Sequence, residues 1–471
     1  MEGGTTPIMK PSFKKRVQCI QTAFLLCAIA VGVGLVWTTL GNPESREAAA
    51  AETAQRTYLR GTIYDRDGKA INYSEEVNGT RKYTGGRAFS TVTGYFSRIY
   101  GTTGIEKTFN TELVSSKCKG DTKKGHDITL TLDRDLQNAA YDSISNIAEG
   151  AAVVLDAQTG EILALASTPT YEPETLEDNW SELCSVDGLF LPNAYKSTFA
   201  PGSDFKIITA CAVIDNGVAD TTVNDQGSYT FKNGQTITNY DSRAFGEIDL
   251  DGAIKNSSNV YFITKALEMG SDKLEASLRK FLLGEDIQLD FTTLSSNLDF
   301  EDYRDEVVGS IAFGQGKTEV TPLYMAMAAQ AIGNDGVMLK PYMIQSIDTG
   351  DGKNVTTGQT TELTTVTSKE TADQVTSAMT LAAEHYGFDY VGPEGWDIAA
   401  KTGTAQTGTN TNAWIVTFAP SENPKYVVVV MAAHQGHDGI YYKDSVDQLY
   451  DALVDYDQSQ NSSSNSSNSD E

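Results

Sequence analysis

The amino-acid sequence predicts an α+β fold in which helices cover an antiparallel sheet. Two apolar runs, 151–155 and 161–166, are joined by Asp156-Ala-Gln-Thr-Gly160, which is typical of a β-hairpin. A second pair of runs, 414–418 and 426–432, is joined by a Pro/Ser/Asn turn. Most segments between these two hairpins have helical or loop character, so strands from both ends would meet in one sheet beneath the helices.

The composition fits a folded protein and argues against nucleic acid as a partner. Hydrophobic residues make up 40% of the 471, and the formal net charge of −27 repels phosphates. The five cysteines lack CxxC spacing, and we favour unpaired thiols over a Cys118–Cys184 disulfide. His434-x-x-His437 has no evident third ligand, so no metal site is predicted.

An apolar segment near the N-terminus predicts a single transmembrane helix. Residues 17–40 carry no charge, and about 24 helical residues span roughly 36 Å. Basic residues precede the segment and acidic residues follow it: Lys10, Lys14, Lys15, Arg16, then Glu44, Glu47 and Glu52. By the positive-inside rule, residues 1–16 form a cytoplasmic tail and the rest lies outside the cell membrane. The alternative is a cleaved signal peptide, for which the apolar run is long.

Three segments follow the apolar one. Residues 41–147 form a small β-rich domain, called the pedestal here, which ends in a strand over 127–133 and a helix up to Ile147. Residues 148–457 form the large domain that contains both hairpins. Residues 458–471 (QSQNSSSNSSNSDE) are polar and of low complexity, and we expect this tail to be disordered.

The first motif with chemical meaning places a serine and a lysine three residues apart. Pro201-Gly202 precedes Ser203 and Lys206 at the start of an apolar helical run, so the two side chains share one face of a turn. A serine hydroxyl needs a base, and a lysine amine can be that base when burial and cations lower its pKa. Backbone N–H groups at the helix start can stabilise an oxyanion. Taken alone, the pattern also fits a capping serine and a surface lysine.

Two further motifs could meet the first across a cleft. Ser257-Ser-Asn259 offers a hydroxyl to relay a proton and an amide to hold a substrate, or it is an ordinary helix cap. Lys401-Thr402-Gly403-Thr404 offers a cation and hydroxyls for a carboxylate, on a strand that could bind an extended peptide. S-x-x-K, S-D-N and K-T-G together are the motif set of penicillin-binding proteins and class A β-lactamases.

With these three motifs in order, the chain resembles class B penicillin-binding proteins over nearly all of the part that follows the apolar segment. Five other elements carry the resemblance: RGTIYDRDG at 60–68, YGTTGIE at 100–106, LTLD at 130–133, TGEILA at 159–164, and FGQG at 313–316 with VTPL at 320–323. The resemblance implies a five-stranded antiparallel sheet covered by helices, the fold of penicillin-binding transpeptidases and serine β-lactamases.

The resemblance also implies an activity. The chain would be a peptidoglycan D,D-transpeptidase that acylates Ser203 with a D-Ala-D-Ala stem peptide and passes the acyl group to an acceptor amine, with β-lactams as inhibitors. Lys206 would be the general base, Ser257 the proton carrier and Asn259 the group that orients the donor. Lys401, Thr402, Gly403 and Thr404 would bind the substrate, and the N–H groups of Ser203 and Thr404 would form the oxyanion hole. No cofactor or metal is implied.

The partner and the competing activities follow from the same resemblance. The pedestal is too small for a glycosyltransferase domain, so a SEDS-family glycosyltransferase of the division, elongation or sporulation machinery is the implied partner, docked through the pedestal and membrane helix. The alternatives are a D,D-carboxypeptidase, a β-lactamase and a non-catalytic scaffold. A β-lactamase would need a deacylating base, and no E-x-x-L-N element lies between Ser257 and Lys401.

One departure from the family stands beside the nucleophile. The family often has Ser-Thr-Phe-Lys where this chain has Ser203-Asp204-Phe205-Lys206. If Asp204 faces the cleft, it alters the pKa of Lys206 or the donor preference. If it faces outward, it only favours the helix N-terminus. We predict the outward orientation.

Overall fold

The computed structural model describes residues 15, 24–32, 34, 59–75, 79–114, 124–298, 300, 303–388, 396–408 and 410–467. Within these ranges, no helix combines the length and the apolar character that crossing a membrane requires. The predicted span 17–40 lies mostly outside the described residues. Cys118 also lies outside them, and Cys184 is an exposed free thiol.

The pedestal consists of short elements. In chain order they are β1 Ile63–Tyr64, β2 Ala70–Ser74, β3 Arg81–Tyr83, α1 Gly86–Thr93, β4 Phe96–Ser97, β5 Gly101–Thr102, α2 Gly104–Thr108, α3 Asn110–Leu113, β6 Asp127–Leu130 and α4 Arg134–Ile144. The helix expected before Ile147 is α4, and the Asp133 carboxylate caps it by accepting from Asp135 N and Leu136 N.

A buried charge cluster joins the two pedestal motifs. Glu106 is fully buried and accepts hydrogen bonds from Arg60 Nε at 2.5 Å and from Arg81 Nε at 2.7 Å. Burial raises the pKa of Glu106, but the charges of Arg81 and Arg60 prevail and hold it below its usual value. The cluster therefore ties the chain before β1 to β3 and α2.

The first half of the large domain contains the opening hairpin and the helices that carry the site. These elements are β7 Gly150–Asp156, β8 Ile162–Thr168, α5 Leu176–Leu183, α6 Asn193–Lys196, α7 Lys206–Asp215, β9 Val223–Asp225, β10 Ser228–Thr230, β11 Thr236–Thr238, β12 Gly246–Ile248, α8 Leu250–Lys255, α9 Asn259–Met269 and α10 Ser271–Lys280.

The second half returns to the sheet. Its elements are α11 Asp305–Ile311, α12 Pro322–Gly333, β13 Val337–Leu339, β14 Ile344–Asp348, β15 Asn354–Thr357, β16 Glu362–Thr365, α13 Lys369–Tyr386, β17 Ala399–Thr407, β18 Asn410–Ala419, β19 Tyr426–Ala432 and α14 Lys443–Ser467.

The five-stranded antiparallel sheet expected for the large domain is present, in the order β17-β18-β19-β7-β8. Both predicted hairpins lie in it. Its residues alternate between two cores, since successive side chains of a strand point to opposite faces. Val153 and Leu155 face the core that contains α12, whereas Ala152 and Val154 face the core formed with α4 and α14.

The pedestal sheet differs from the expectation that residues 41–147 form it alone. It has six strands in the order β15-β14-β6-β1-β2-β3, so two of its strands come from inside the large domain. Strand β14 pairs antiparallel with β6, with Ile347 opposite Ile128. The pairing covers an edge of β6 that would otherwise carry free backbone donors and acceptors.

The C-terminal tail also differs from its prediction. Helix α14 runs to Ser467, so the first ten residues of the segment 458–471 are helical rather than disordered. The helix begins against the core through Val446, Leu449 and Leu453, which are fully buried. Once this packed part has formed, each further residue adds one backbone hydrogen bond at little cost, so the helix extends into polar sequence.

Candidate active site

Ser203 lies on a 3-10 turn, Gly202–Phe205, that leads directly into α7. Gly202 has φ +57°, and a Cβ at this position would lie 2.9 Å from backbone atoms of Thr404 and Ala405 in β17. Only a glycine satisfies both the left-handed backbone and this close approach. The turn thus presents Ser203 beside the K-T-G strand, at the cleft.

Lys206 is fully buried, and the contacts of its amine define its role. Nζ donates to Ser257 O at 2.7 Å and to Asn259 Oδ1 at 2.8 Å, and it lies 2.9 Å from Ser203 Oγ. A carbonyl and an amide oxygen can only accept, so they occupy both N–H groups of a neutral amine. The remaining lone pair is then available to the Ser203 hydroxyl proton.

Electrostatics favour this neutral form. Burial lowers the pKa of Lys206 well below its ordinary value, and the neighbouring charge of Lys401 lowers it further. The carboxyl groups of Asp204 and Asp225 act in the opposite direction and do not reverse the shift. A neutral lysine at hydrogen-bond distance from a serine has the properties of a general base.

Ser257 connects the two lysines. Its Oγ lies 3.1 Å from Lys206 Nζ and 3.1 Å from Lys401 Nζ. Lys401 also donates to Thr402 O at 2.7 Å and lies over the ring of Tyr386. A hydroxyl both donates and accepts, so Ser257 can receive a proton from one side and deliver one to the other.

The K-T-G residues lie on β17, which is an edge strand of the five-stranded sheet. An edge strand can pair with an extended peptide through its backbone. Together with the 3-10 turn and the segment Ser257-Ser-Asn259, called the S-x-N loop or motif here, β17 borders a cleft of about 1080 Å³. Of the predicted site residues, five line this cleft: Ser203, Ser257, Asn259, Thr402 and Thr404. The other three lie directly behind it: Lys206, Lys401 and Gly403.

The buried position of Asp204 shows that our prediction of an outward orientation was wrong. The side chain is fully buried, and neither carboxyl oxygen has a hydrogen-bond partner among the described residues. It lies against Gly403, where a Cβ would come within 2.6 Å of Oδ2. Burial raises the pKa of Asp204 well above its ordinary value, against the opposing charges of Lys401 and Lys206. The 3-10 turn directs this residue inward beneath β17, which the spacing of a regular helix did not indicate.

Sequence reasoning missed the groups that hold the motifs in place. Asp225 and Asn239 are buried polar residues from short segments, and together they contact the S-x-N loop. They belong to no motif, so only burial in the folded chain identifies them. His437, weighed as a metal ligand, lines the cleft and stacks on Tyr441 with 3.7 Å between ring centroids. No three metal-binding side chains cluster anywhere in the described part.

Comparison with known proteins agrees with this geometry. Residues 150–450 match the family described as penicillin binding protein transpeptidase domain, and residues 60–129 match the penicillin binding protein A dimerisation domain. The chain is 29% identical over 412 residues to the peptidoglycan D,D-transpeptidase PbpA of Mycolicibacterium smegmatis, covering 78% of this chain and 83% of that protein.

Solved structures give the same result. The D,D-transpeptidase domain of a peptidoglycan glycosyltransferase from Eggerthella lenta has a TM-score of 0.78 at 31% identity and covers 85% of this chain and 99% of its own. The penicillin G acyl-enzyme complex of penicillin-binding protein A from M. tuberculosis has a TM-score of 0.78 at 26% identity, covering 84% and 100% of the two chains. The large domain has the penicillin-binding transpeptidase fold, and the chain belongs to the penicillin-binding protein transpeptidase family.

Proposed function

We propose that this protein is a peptidoglycan D,D-transpeptidase that forms an acyl-enzyme on Ser203 and is inhibited by β-lactams through the same serine. The observation that carries the proposal is the position of the buried Lys206 amine, whose Nζ lies within hydrogen-bond distance of Ser257 O, Asn259 Oδ1 and Ser203 Oγ. The relatives named as D,D-transpeptidases and the penicillin G acyl-enzyme of a structural neighbour support it.

In the acylation step, Lys206 takes the hydroxyl proton of Ser203 as Oγ attacks the carbonyl carbon of the penultimate D-alanine. The backbone N–H groups of Ser203 and Thr404 stabilise the resulting oxyanion. Lys206 then passes its proton through Ser257 to the departing nitrogen. The C–N bond breaks, D-alanine leaves, and the acyl group remains on Ser203 as an ester. Thr402, Thr404 and Lys401 hold the terminal carboxylate of the donor.

In the transfer step, the amine of a second stem peptide attacks the ester carbon. The proton that this amine loses moves through Lys206 to Ser203 Oγ as the ester bond breaks. The product is an amide cross-link, and the free serine is restored. No net oxidation or hydrolysis occurs, so the energy comes from the peptide bond that was broken.

Three other activities compete with this one. Water in place of the amine would make the protein a D,D-carboxypeptidase, rapid hydrolysis of a β-lactam ester would make it a β-lactamase, and an inert Ser203 would leave a scaffold. No glutamate lies among the described residues that line the cleft, which disfavours a class A β-lactamase.

Mass spectrometry of the intact chain after incubation with benzylpenicillin tests the proposal. We expect a long-lived adduct on Ser203 that is absent from Ser203→Ala. A second incubation, with a stem peptide ending in D-Ala-D-Ala and an acceptor amine, should yield the amide product. Release of D-alanine without cross-linked product would favour the carboxypeptidase, rapid loss of the adduct the β-lactamase, and an unreactive folded protein the scaffold.

We also propose that residues 17–40 anchor the chain in the cell membrane with the catalytic domain outside, and that a SEDS-family glycosyltransferase is its partner. The charge asymmetry around the apolar segment supports the anchor. The resemblance to class B penicillin-binding proteins supports the partner. Protease added to intact protoplasts should digest the large domain and spare a tag on the N-terminus. Protection of the large domain would contradict the topology.

A further inference from the structure

A fully buried carboxylate lies behind the S-x-N motif, at the end of β9. Asp225 Oδ1 accepts from Gly227 N at 2.7 Å and from Asn239 Nδ2 at 2.9 Å. Oδ2 accepts from Asn239 Nδ2 at 2.8 Å and from Ser258 Oγ at 2.5 Å. All of these hydrogen bonds can be donated to the carboxylate, so an ionised carboxylate satisfies the whole group. An amide at this position would set its own N–H groups against Asn239 Nδ2, which contacts both oxygens.

Both side-chain partners of Asp225 make further hydrogen bonds to the backbone beside the active site. Ser258 Oγ accepts from Tyr261 N at 2.9 Å and so caps α9. Asn239 Oδ1 accepts from Asn259 N at 2.8 Å and from Val260 N at 3.2 Å. The carboxylate therefore fixes the first turn of α9 from two sides, at the residues adjoining the catalytic serine and amide.

The residue held in this way is conformationally strained. Ser257 has φ +55°, a left-handed conformation that is strained for a non-glycine residue. Such a residue persists only when its surroundings fix it. Its strained backbone directs both its carbonyl oxygen and its hydroxyl to Lys206.

We propose that Asp225 is a positioning residue for acyl transfer, which through Ser258 and Asn239 places Ser257 and Asn259 on the lysine base. The known motif S-D-N has a carboxylate at its middle position. Here the middle position is Ser258, and Asp225 supplies the carboxylate from a separate strand. This inference rests on the proposed function of the site.

Asn239 extends the effect to the wall of the cleft. Its Nδ2 also donates to Arg243 O at 2.9 Å, and Asn259 Nδ2 donates to Thr238 O at 2.8 Å. Several residues of the segment 238–243 line the cleft. The same network therefore shapes the surface that a donor peptide meets before it reacts.

Asp225 also influences the base through its charge. The charge of Lys401 lowers the pKa of Lys206 beyond the effect of burial, and the charge of Asp225 raises it. Asp204 also raises the pKa of Lys206, but only in its ionised form, which burial disfavours. Loss of the Asp225 charge therefore lowers the pKa of Lys206. Because acylation needs the neutral amine, its rate would then begin to fall at a lower pH than in the wild type.

Asp225→Asn in the full chain tests the inference, with exposed Asp220→Asn as the control that removes the same formal charge. The concentration dependence of Ser203 acylation by benzylpenicillin separates the dissociation constant from the acylation rate constant per active site. We expect this rate constant to fall roughly 10- to 100-fold from misplacement of Ser257 and Asn259. The acid limb of the pH profile should move to lower pH, and the control should match the wild type.

Exchanging the residues at positions 225 and 258 tests whether the acylation rate can be restored. Asp225→Ser alone should be slow, and Asp225→Ser combined with Ser258→Asp should recover part of the rate by restoring the carboxylate at the middle position. If Asp225→Asn does not fold, the acylation rate constant is measured on Ser258→Ala instead. A lower rate constant than that of the wild type would support the proposal. An unchanged rate constant and pH profile, or a loss confined to the amount of active protein, would overturn it. Failure of wild-type acylation would instead refute the proposed function.

Discussion

Replacing Asp204 with asparagine should stabilise the protein, increasingly so as the pH rises. In the folded chain this carboxyl is fully buried and has no hydrogen-bond partner among the described residues, so the protonated form is favoured. In the unfolded chain it ionises with an ordinary pKa of about 3.9. Asparagine has nearly the same shape and does not titrate.

The sign follows from proton linkage. The pKa of Asp204 is raised in the folded state, so above the unfolded pKa the folded protein binds one more proton than the unfolded protein. Stability then falls as pH rises, until the folded carboxyl itself ionises. Retaining one proton costs at most about 1.4 kcal/mol per pH unit, so the advantage of Asp204→Asn should grow with pH towards a ceiling of roughly 2.7 kcal/mol between pH 5 and pH 7.

Urea unfolding of the full chain at pH 5, 6 and 7 measures this difference. The wild type and Asp204→Asn are compared at each pH, and exposed Asp220→Asn serves as a control whose difference from the wild type should not change with pH. A constant difference between wild type and Asp204→Asn would show that Asp204 is ionised in the folded protein. The buried cluster would then contain a carboxylate paired with the lysine charges, and our reasoning would be wrong.

Three further predictions concern the turn, the pedestal and the base. Gly202→Ala should lower the rate of benzylpenicillin acylation roughly 100-fold, because its Cβ would meet the β17 backbone, whereas Gly188→Ala, also at positive φ but in open space, should leave the rate unchanged. Glu106→Gln should lower the free energy of unfolding by about 3–5 kcal/mol in urea titrations, since it leaves two arginines buried without their carboxylate; loss of under about 1 kcal/mol would contradict this. Lys206→Met should slow acylation by about 10²- to 10⁴-fold in stopped-flow measurements, and a near-normal rate would exclude it as the base.

Local patterns were sufficient to predict the two hairpins of the central sheet, and the resemblance to the family supplied its five-stranded form. Each of the two hairpins consists of apolar runs joined by a short turn, so both partner strands lie close together in the sequence. The three motifs were also found from sequence, because their spacing is fixed by single turns of helix or one strand. The structure brings all eight predicted site residues to one cleft and the space directly behind it. Their catalytic roles remain predictions.

What depends on distant contacts was not predicted. Strands β14 and β15 join the pedestal sheet from more than 200 residues beyond β6, and no local pattern records that pairing. The orientation of Asp204 was wrong because its burial is set by β17, nearly 200 residues away. Asp225 resembles a surface aspartate in the sequence, and only the converging donors of Asn239 and Ser258 reveal its buried position.

The shared pedestal sheet means that this protein is not built from two exchangeable modules. Cutting the chain between the pedestal and the large domain would leave β14 without its partner β6. The unpaired backbone N–H and C=O groups of β14 would then favour self-association. A substitute pedestal would have to offer a strand that matches β14 in register as well as a linker of suitable length. Because hydrogen bonds link the strands continuously across that boundary, mechanical load on the pedestal would pass directly into the catalytic domain.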